Sequence, residues 1–309
     1  MLRRGPSVCK RTLRGHADDV YALAALPGGK LASGSADYTI KVWDMATGEC
    51  ERTLDTLDAR HFDWVMALAA LPDGKLASGS ADYTIKVWDV ATGECERTLI
   101  GHTSEVYALA ACAGGKLASG AEDNTMNIWN VATGKVELTA CEAHTGSVRA
   151  LAAWPDGKLA SGGGDETIKI WDLATGVCER KLRGLTGGVF ALLACAGGKL
   201  ASGSGDTTIK IWNVAKGECE RTLEGHTGVV CALAAWPGGR LASGSNDKTI
   251  KIWDVATGQC ERTLQGHTDY VNALAARADG TLASASDDNT IKIWGDTPDP
   301  RSRLLPPVE

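Results

Sequence analysis

Seven tryptophans set the ruler for this chain. Trp43, Trp88, Trp129, Trp171, Trp212, Trp253 and Trp294 stand 45, 41, 42, 41, 41 and 41 residues apart. A fixed period of that length means one supersecondary unit copied and stacked, so the 309 residues share one continuous core and the usual two-domain prior for such a length does not apply. Each copy holds an apolar run such as VYALAAL, then KLASGS, then TIKVW or TIKIW, then CERTL. Alternation and β-branched residues read as strands, and the PDG, PGG or AGG between the first two runs is hairpin chemistry. The ALAA segments favour helix by intrinsic preference, but five residues between fixed turns are too few to build one.

Four short antiparallel strands repeated seven times define an all-β fold: a seven-bladed β-propeller of four-stranded antiparallel blades. The residues that carry the pattern, GH…LASGS-x-D-x-TIKVWD, closely resemble the WD40 family over residues 8–295, with tails at 1–7 and 296–309. The second tail, Pro-rich, is expected to be disordered. The resemblance implies that each blade's outer strand is encoded at the start of the next repeat. The final blade then lacks one, and VCKRTL at 8–13, which matches CERTL, is expected to supply it as an N-terminal strand that closes the ring.

Ser, His and Asp recur together at constant distances from each Trp, 10, 27 and 6 residues upstream. The sets are His16, Ser33, Asp37, Trp43; His61, Ser78, Asp82, Trp88; His102, Ser119, Asp123, Trp129; His144, Ser161, Asp165, Trp171; His226, Ser243, Asp247, Trp253; and His267, Ser284, Asp288, Trp294. In the fifth unit Leu185 stands in the His place beside Ser202, Asp206 and Trp212. All length changes fall outside the His-to-Trp interval, so the four groups must meet inside each blade. An enzyme needs one activated nucleophile in one pocket, whereas these sets point into six or seven blade interiors; they are structural tetrads, and no catalytic residue is assigned. By family resemblance Trp bonds Ser, Ser bonds His and His bonds Asp. Blade five, lacking its His, is expected to leave Asp206 and Ser202 in need of other donors and to open more readily.

Composition narrows the partners. Lys plus Arg is 32 against 38 Asp plus Glu, a net charge of −6, which gives no basic stripe for nucleic acid. No 18-residue apolar run or secretory h-region is present, so no membrane insertion is expected. One His per blade without ligand spacing argues against a metal, and no cofactor is expected. Cys9, Cys50, Cys95, Cys178, Cys219 and Cys260 share one repeat position, which Val136 fills in the remaining unit; Cys-or-Val reads as a small buried hydrophobe in a reduced, cytoplasmic protein, with the nucleus as the other compartment.

Only ten of the 17 aromatics are not template tryptophans. Trp154 and Trp236 precede the PDG and PGG turns and belong to the far edge, where a permanent assembly subunit would use them. The other eight lie just after the His position or in the S-x-D turn, two loops that share a face in the family fold. The expected partner-binding set is Tyr21, Phe62, Trp64, Met66, Tyr107, Arg149, Phe190 and Tyr270, with Tyr21, Trp64, Met66 and Tyr107 as an arc over blades one to three. Within it HFDWVM (61–66), after the longest inter-repeat loop, reads either as the anchor of the site or as a local lid over that loop. Asp18, Asp19, Asp63, Glu105 and Glu122 surround the arc, so the expected ligand of this non-catalytic scaffold is a protein or peptide with basic side chains. The alternative is a permanent architectural subunit of a large assembly.

Overall fold

The computed structural model describes residues 7–55, 59–140, 143–277 and 279–296. Among them are seven four-stranded antiparallel sheets. In the first blade the strands run Val20–Leu26, Lys30–Ser35, Ile40–Asp44 and Cys50–Leu54, from the axis outward. The last sheet is completed by Ser7–Arg14, which pairs antiparallel with Thr290–Asp296, Arg14 opposite Thr290 and Cys9 opposite Trp294. The ring therefore closes without a free edge at this seam. The expected disordered tail lies outside the described residues apart from Asp296, which ends a strand.

The Ala-rich inner runs are strands in all seven blades, from Val20–Leu26 to Val271–Ala276. Turn geometry at one end and packing at the axis override helical preference. The core is not central; it is a series of layers between blades. Ala32, Ile40, Val42 and Leu54 of blade one pack with Val65, Leu76 and Trp88 of blade two, and the same grouping recurs around the ring. The glycine of KLASGS explains how blades come so close. A Cβ on Gly120 would lie 2.4 Å from Val148 Cγ1 of the following blade, and one on Gly79 2.7 Å from Val106 Cγ1. Blade seven alone puts an alanine there, Ala285, fully buried against Val20.

The outer strands correct one expectation. Cys9, Cys50, Cys178, Cys219 and Cys260 are exposed and Cys95 half-buried, and Val136 is exposed as well. The reason is a β-bulge: Trp43 pairs with Cys50 while Val42 pairs with Arg52, which leaves Glu51 as an extra residue. The Cys lies at this bulge on the outermost strand, where its thiol donates to the carbonyl two residues on, Cys50 Sγ to Arg52 O at 3.3 Å and Cys95 Sγ to Arg97 O at 3.2 Å. The nine cysteines among the described residues are free thiols. The bulged glutamates pair with lysines of their own sheet, Glu51 with Lys30 and Glu96 with Lys75, both at 2.6 Å. Arg52 crosses to the next blade, donating to the carbonyls of Ala91 and Thr92.

Trp154 and Trp236 are not open contact residues either. Trp236 is buried, and Trp154 packs partly buried against the cluster of blades four and five, its Nε1 enclosed without an acceptor. Both tryptophans are spent on packing between blades. Among the described residues no helix is long and apolar enough to cross a membrane.

Candidate partner-binding site

Each mouth loop is built on a tetrad. Trp Nε1 donates to Ser Oγ at 2.7–2.9 Å in all seven blades. Ser Oγ lies 2.6–2.8 Å from His Nε2 in the six blades with a histidine. His Nδ1 reaches the Asp carboxylate at 2.7–3.1 Å. The Asp also holds the next turn, as Asp37 Oδ1 accepts from Thr39 N at 3.0 Å and Thr39 Oγ1 at 2.6 Å. This Asx-type clamp forces the residue between into the left-handed region: Tyr38, Tyr83, Asn124, Glu166, Thr207, Lys248 and Asn289 all have φ of 61–70°.

In blade five the absent histidine is handled by packing and by threonines. Leu185 is buried in the cluster that contains Trp212, and Asp206 accepts from Thr186 Oγ1 at 3.0 Å and Thr208 Oγ1 at 2.7 Å. Asp206 thus finds in Thr186 and Thr208 the other donors it was expected to need. Ser202 keeps its Trp212 bond at 2.9 Å.

Three positions per blade escape this template, and one backbone bond ties them together. The residue before the tetrad Asp donates its N–H to the carbonyl of the residue before the inner-strand Val: Ala36 to Asp19 at 2.8 Å, Ala81 to Trp64 at 2.9 Å, Asp287 to Tyr270 at 3.1 Å. The residue after that Val is the extra member of a β-bulge in every blade. Val20 pairs with Ser35 and Ala22 with Gly34, so Tyr21 is left over, and the same holds for Met66, Tyr107, Arg149, Phe190, Cys231 and Asn272. Bulges free a side chain from ladder duty and re-aim it. Here five of the seven, Met66, Tyr107, Phe190, Cys231 and Asn272, line a cavity of about 190 Å³ at the channel mouth.

The structure divides the expected arc into two groups. Tyr21 and Trp64 meet across blades one and two as a tilted pair, ring centroids 5.8 Å apart at 46°, with Trp64 42% exposed. Tyr107 belongs to a second group, because Arg149 lays its guanidinium over both Tyr107 (4.8 Å) and Phe190 (5.2 Å). Met66 lies at the mouth cavity. Phe62 stands at the rim, 68% exposed, under the Arg60 guanidinium at 5.5 Å, and Tyr270 is exposed on blade seven.

Comparison with known proteins fits this architecture. The family model for the WD domain, G-beta repeat, matches residues 7–44, 48–89, 93–130, 135–172, 176–213, 217–254 and 258–295. The chain belongs to the WD40 family. Each WD40 match begins at an outer strand or within two residues before it and ends one residue past a tetrad Trp, so the repeat and the blade are offset by one strand. Among curated proteins, the ribosome biogenesis protein BOP1 homolog of Drosophila virilis is 45% identical over 58 residues, 18% of this chain and 7% of that protein. Its Drosophila willistoni counterpart is 43% identical over 58 residues, 18% of this chain and 8% of that one. The chain thus matches less than a tenth of the length of these relatives.

Charge on this WD40 face is uneven, and two residues outside the aromatic set stand at its most acidic point. Asp287 and Asn272 face Asp18, Asp19 and Asp269 where blade seven meets blade one. Burial pushes the Asp287 carboxyl up to about 6, with Asp19, Asp269 and Asp18 adding repulsion against the opposing hydrogen bond from Asn272 Nδ2. Burial and Asp18 likewise raise Asp19, which accepts the Tyr21 hydroxyl at 3.3 Å. The available signal was the doubled acid, Asp287–Asp288, at a position filled by Ala or Gly in four other blades.

Proposed function

We propose that this WD40 propeller is a non-catalytic scaffold that recruits a partner protein or peptide on the loop face bearing Tyr21, Trp64, Met66 and Tyr107. The observation that carries the reading is the tilted Tyr21–Trp64 pair. A half-exposed tryptophan and a tyrosine from neighbouring blades meet at positions the repeat template leaves free, on backbone that the tetrads and bulges hold rigid. Rigid, partly exposed aromatics with a polar rim are the composition of interaction hot spots. Basic side chains on the partner suit the surrounding carboxylates.

A permanent assembly subunit is the second reading, favoured by the similarity to proteins named for ribosome biogenesis. That similarity covers 58 residues, 18% of this chain. The test is affinity capture with mass spectrometry, wild type against a Trp64→Ala/Met66→Ala variant of equal melting temperature. Loss of a discrete partner from the variant supports the scaffold; an unchanged partner set contradicts this use of the face.

A further inference from the structure

We infer that the top of the seam between blades one and two is a track for an extended peptide, with a large apolar side chain seated at the rim and an arginine or lysine seated inward on the Tyr21–Trp64 pair. The inference rests on the reading above and specifies its partner.

The first observation is concentration. At each seam the left-handed turn residue of one blade lies beside the residue after the tetrad His position of the next: Asn289 Nδ2 donates to Ala17 O, and Lys248 Nζ to Thr268 O. At five of the seven seams both places hold small or polar residues, and at a sixth Tyr83 faces Thr103. Only between blades one and two are both aromatic, Tyr38 and Phe62. They line an open cavity of about 270 Å³ with Asp55 and Arg60, above the tetrad groups Asp37 and His61. Inward from Phe62 the same segment presents Trp64 against Tyr21, then Met66 at the channel mouth. Among the described residues, Phe62, Trp64 and Met66 thus carry apolar surface from rim to axis along this seam.

The second observation is charge. Asp18 and Asp19 sit at the inner end of this track, with Asp269 and Asp287 just across the neighbouring seam, and burial, with the repulsion among these acids added, raises Asp19 and Asp287. A cation there would gain both the carboxylates and the aromatic faces. The molecule shows the same arrangement on the opposite side of the mouth, where its own Arg149 occupies the slot between Tyr107 and Phe190. That slot is filled from within, whereas the Tyr21–Trp64 pair has carboxylates beside it and, among the described residues, no guanidinium over it. The outer end is different: Arg60 already covers Phe62, so a second cation is disfavoured there and an apolar side chain is accepted.

The test uses the full chain and a series of fluorescein-labelled ten-residue peptides. Each carries one arginine and one leucine separated by one to five Gly/Ser residues, read by fluorescence polarisation. At least one spacing is expected to bind below 1 mM. Exchanging its arginine for glutamate, or introducing Trp64→Ala, should weaken binding at least tenfold, and Asp18→Asn/Asp19→Asn should weaken it several-fold. Phe62→Ser, on a side chain too exposed to matter for folding, should remove the preference for leucine over serine in the peptide. The inference is overturned if no spacing binds, if the glutamate peptide binds as well as the arginine peptide, or if Phe62→Ser leaves the leucine preference intact. Should the captured partner still depend on Trp64 and Met66 while any of these failures holds, the scaffold reading stands and the track alone falls.

Discussion

In six blades the direction of the Trp–Ser–His–Asp chain is decided at its carboxylate end. The Asp can only accept, so the neutral imidazole carries its proton on Nδ1, its Nε2 accepts from the Ser hydroxyl, and Ser Oγ accepts from Trp Nε1–H. Burial holds His61, His102, His144 and His226 below the ordinary value of 6.5, in the neutral form this chain requires. Burial alone would raise the aspartates, but hydrogen bonds from His, Thr and backbone win, lowering Asp37, Asp82 and Asp288, and Asp165 to about 2. Both shifts have the same sign for stability. The unfolded chain takes up protons on these histidines below pH 6.5, and on these aspartates below about 3.8, before the folded chain does. Stability is therefore complete above pH 6.5 and declines as the pH falls, and urea midpoints measured from pH 8 to 4 should trace that decline. Asp287 runs the other way: its folded value of about 6 lies above 3.8, so its contribution is lost as pH rises from 4 to 6. Asp287→Asn should raise the urea midpoint at pH 7 and leave it nearly unchanged at pH 4. Ser78→Ala strands both Trp88 Nε1 and His61 Nε2 in a buried site, and should cost about 2–4 kcal/mol.

At the scale of strands and blades, the seams make the sharpest demand. Gly120→Ala would press a methyl onto Val148, and a loss of about 1–3 kcal/mol in chemical denaturation is expected, the usual cost of overpacking. Blade seven already accepts Ala285, so the same side chain is tolerated at that seam. In blade five, Leu185→His would meet a ready Ser202 and Asp206 and should add about 0.5–2 kcal/mol, as template-restoring substitutions commonly do. Repeat length, strand order and the tetrads were legible in the sequence because they recur at fixed spacing. The exposure of Cys50 and its equivalents was not, since a one-residue bulge reverses the face of a strand position without leaving a periodic trace. The pairing of Arg149 with Tyr107 and Phe190 was hidden for another reason: it joins three blades, and position in a repeat says nothing about which neighbour a long side chain leans toward.

For the whole molecule, division of labour follows from repetition. Trp, Ser, His, Asp, the seam glycines and the inner-strand valines hold seven copies in a ring, and the N-terminal strand locks it, Lys292 Nζ reaching Thr12 Oγ1 across 280 residues of chain. Removing Ser7–Arg14 would strip blade seven of its outer strand and expose an unpaired edge; size-exclusion chromatography should then show association that the full chain lacks. What remains for function is the set of mouth positions where copies differ, and on the proposed reading those of blades one and two take the partner. Hydrogen exchange on the protein with its captured partner tests that account most directly. The expected result is new protection confined to residues 18–21, 36–39 and 60–66. Protection instead on the outer strands or on the turns at the far edge would contradict it.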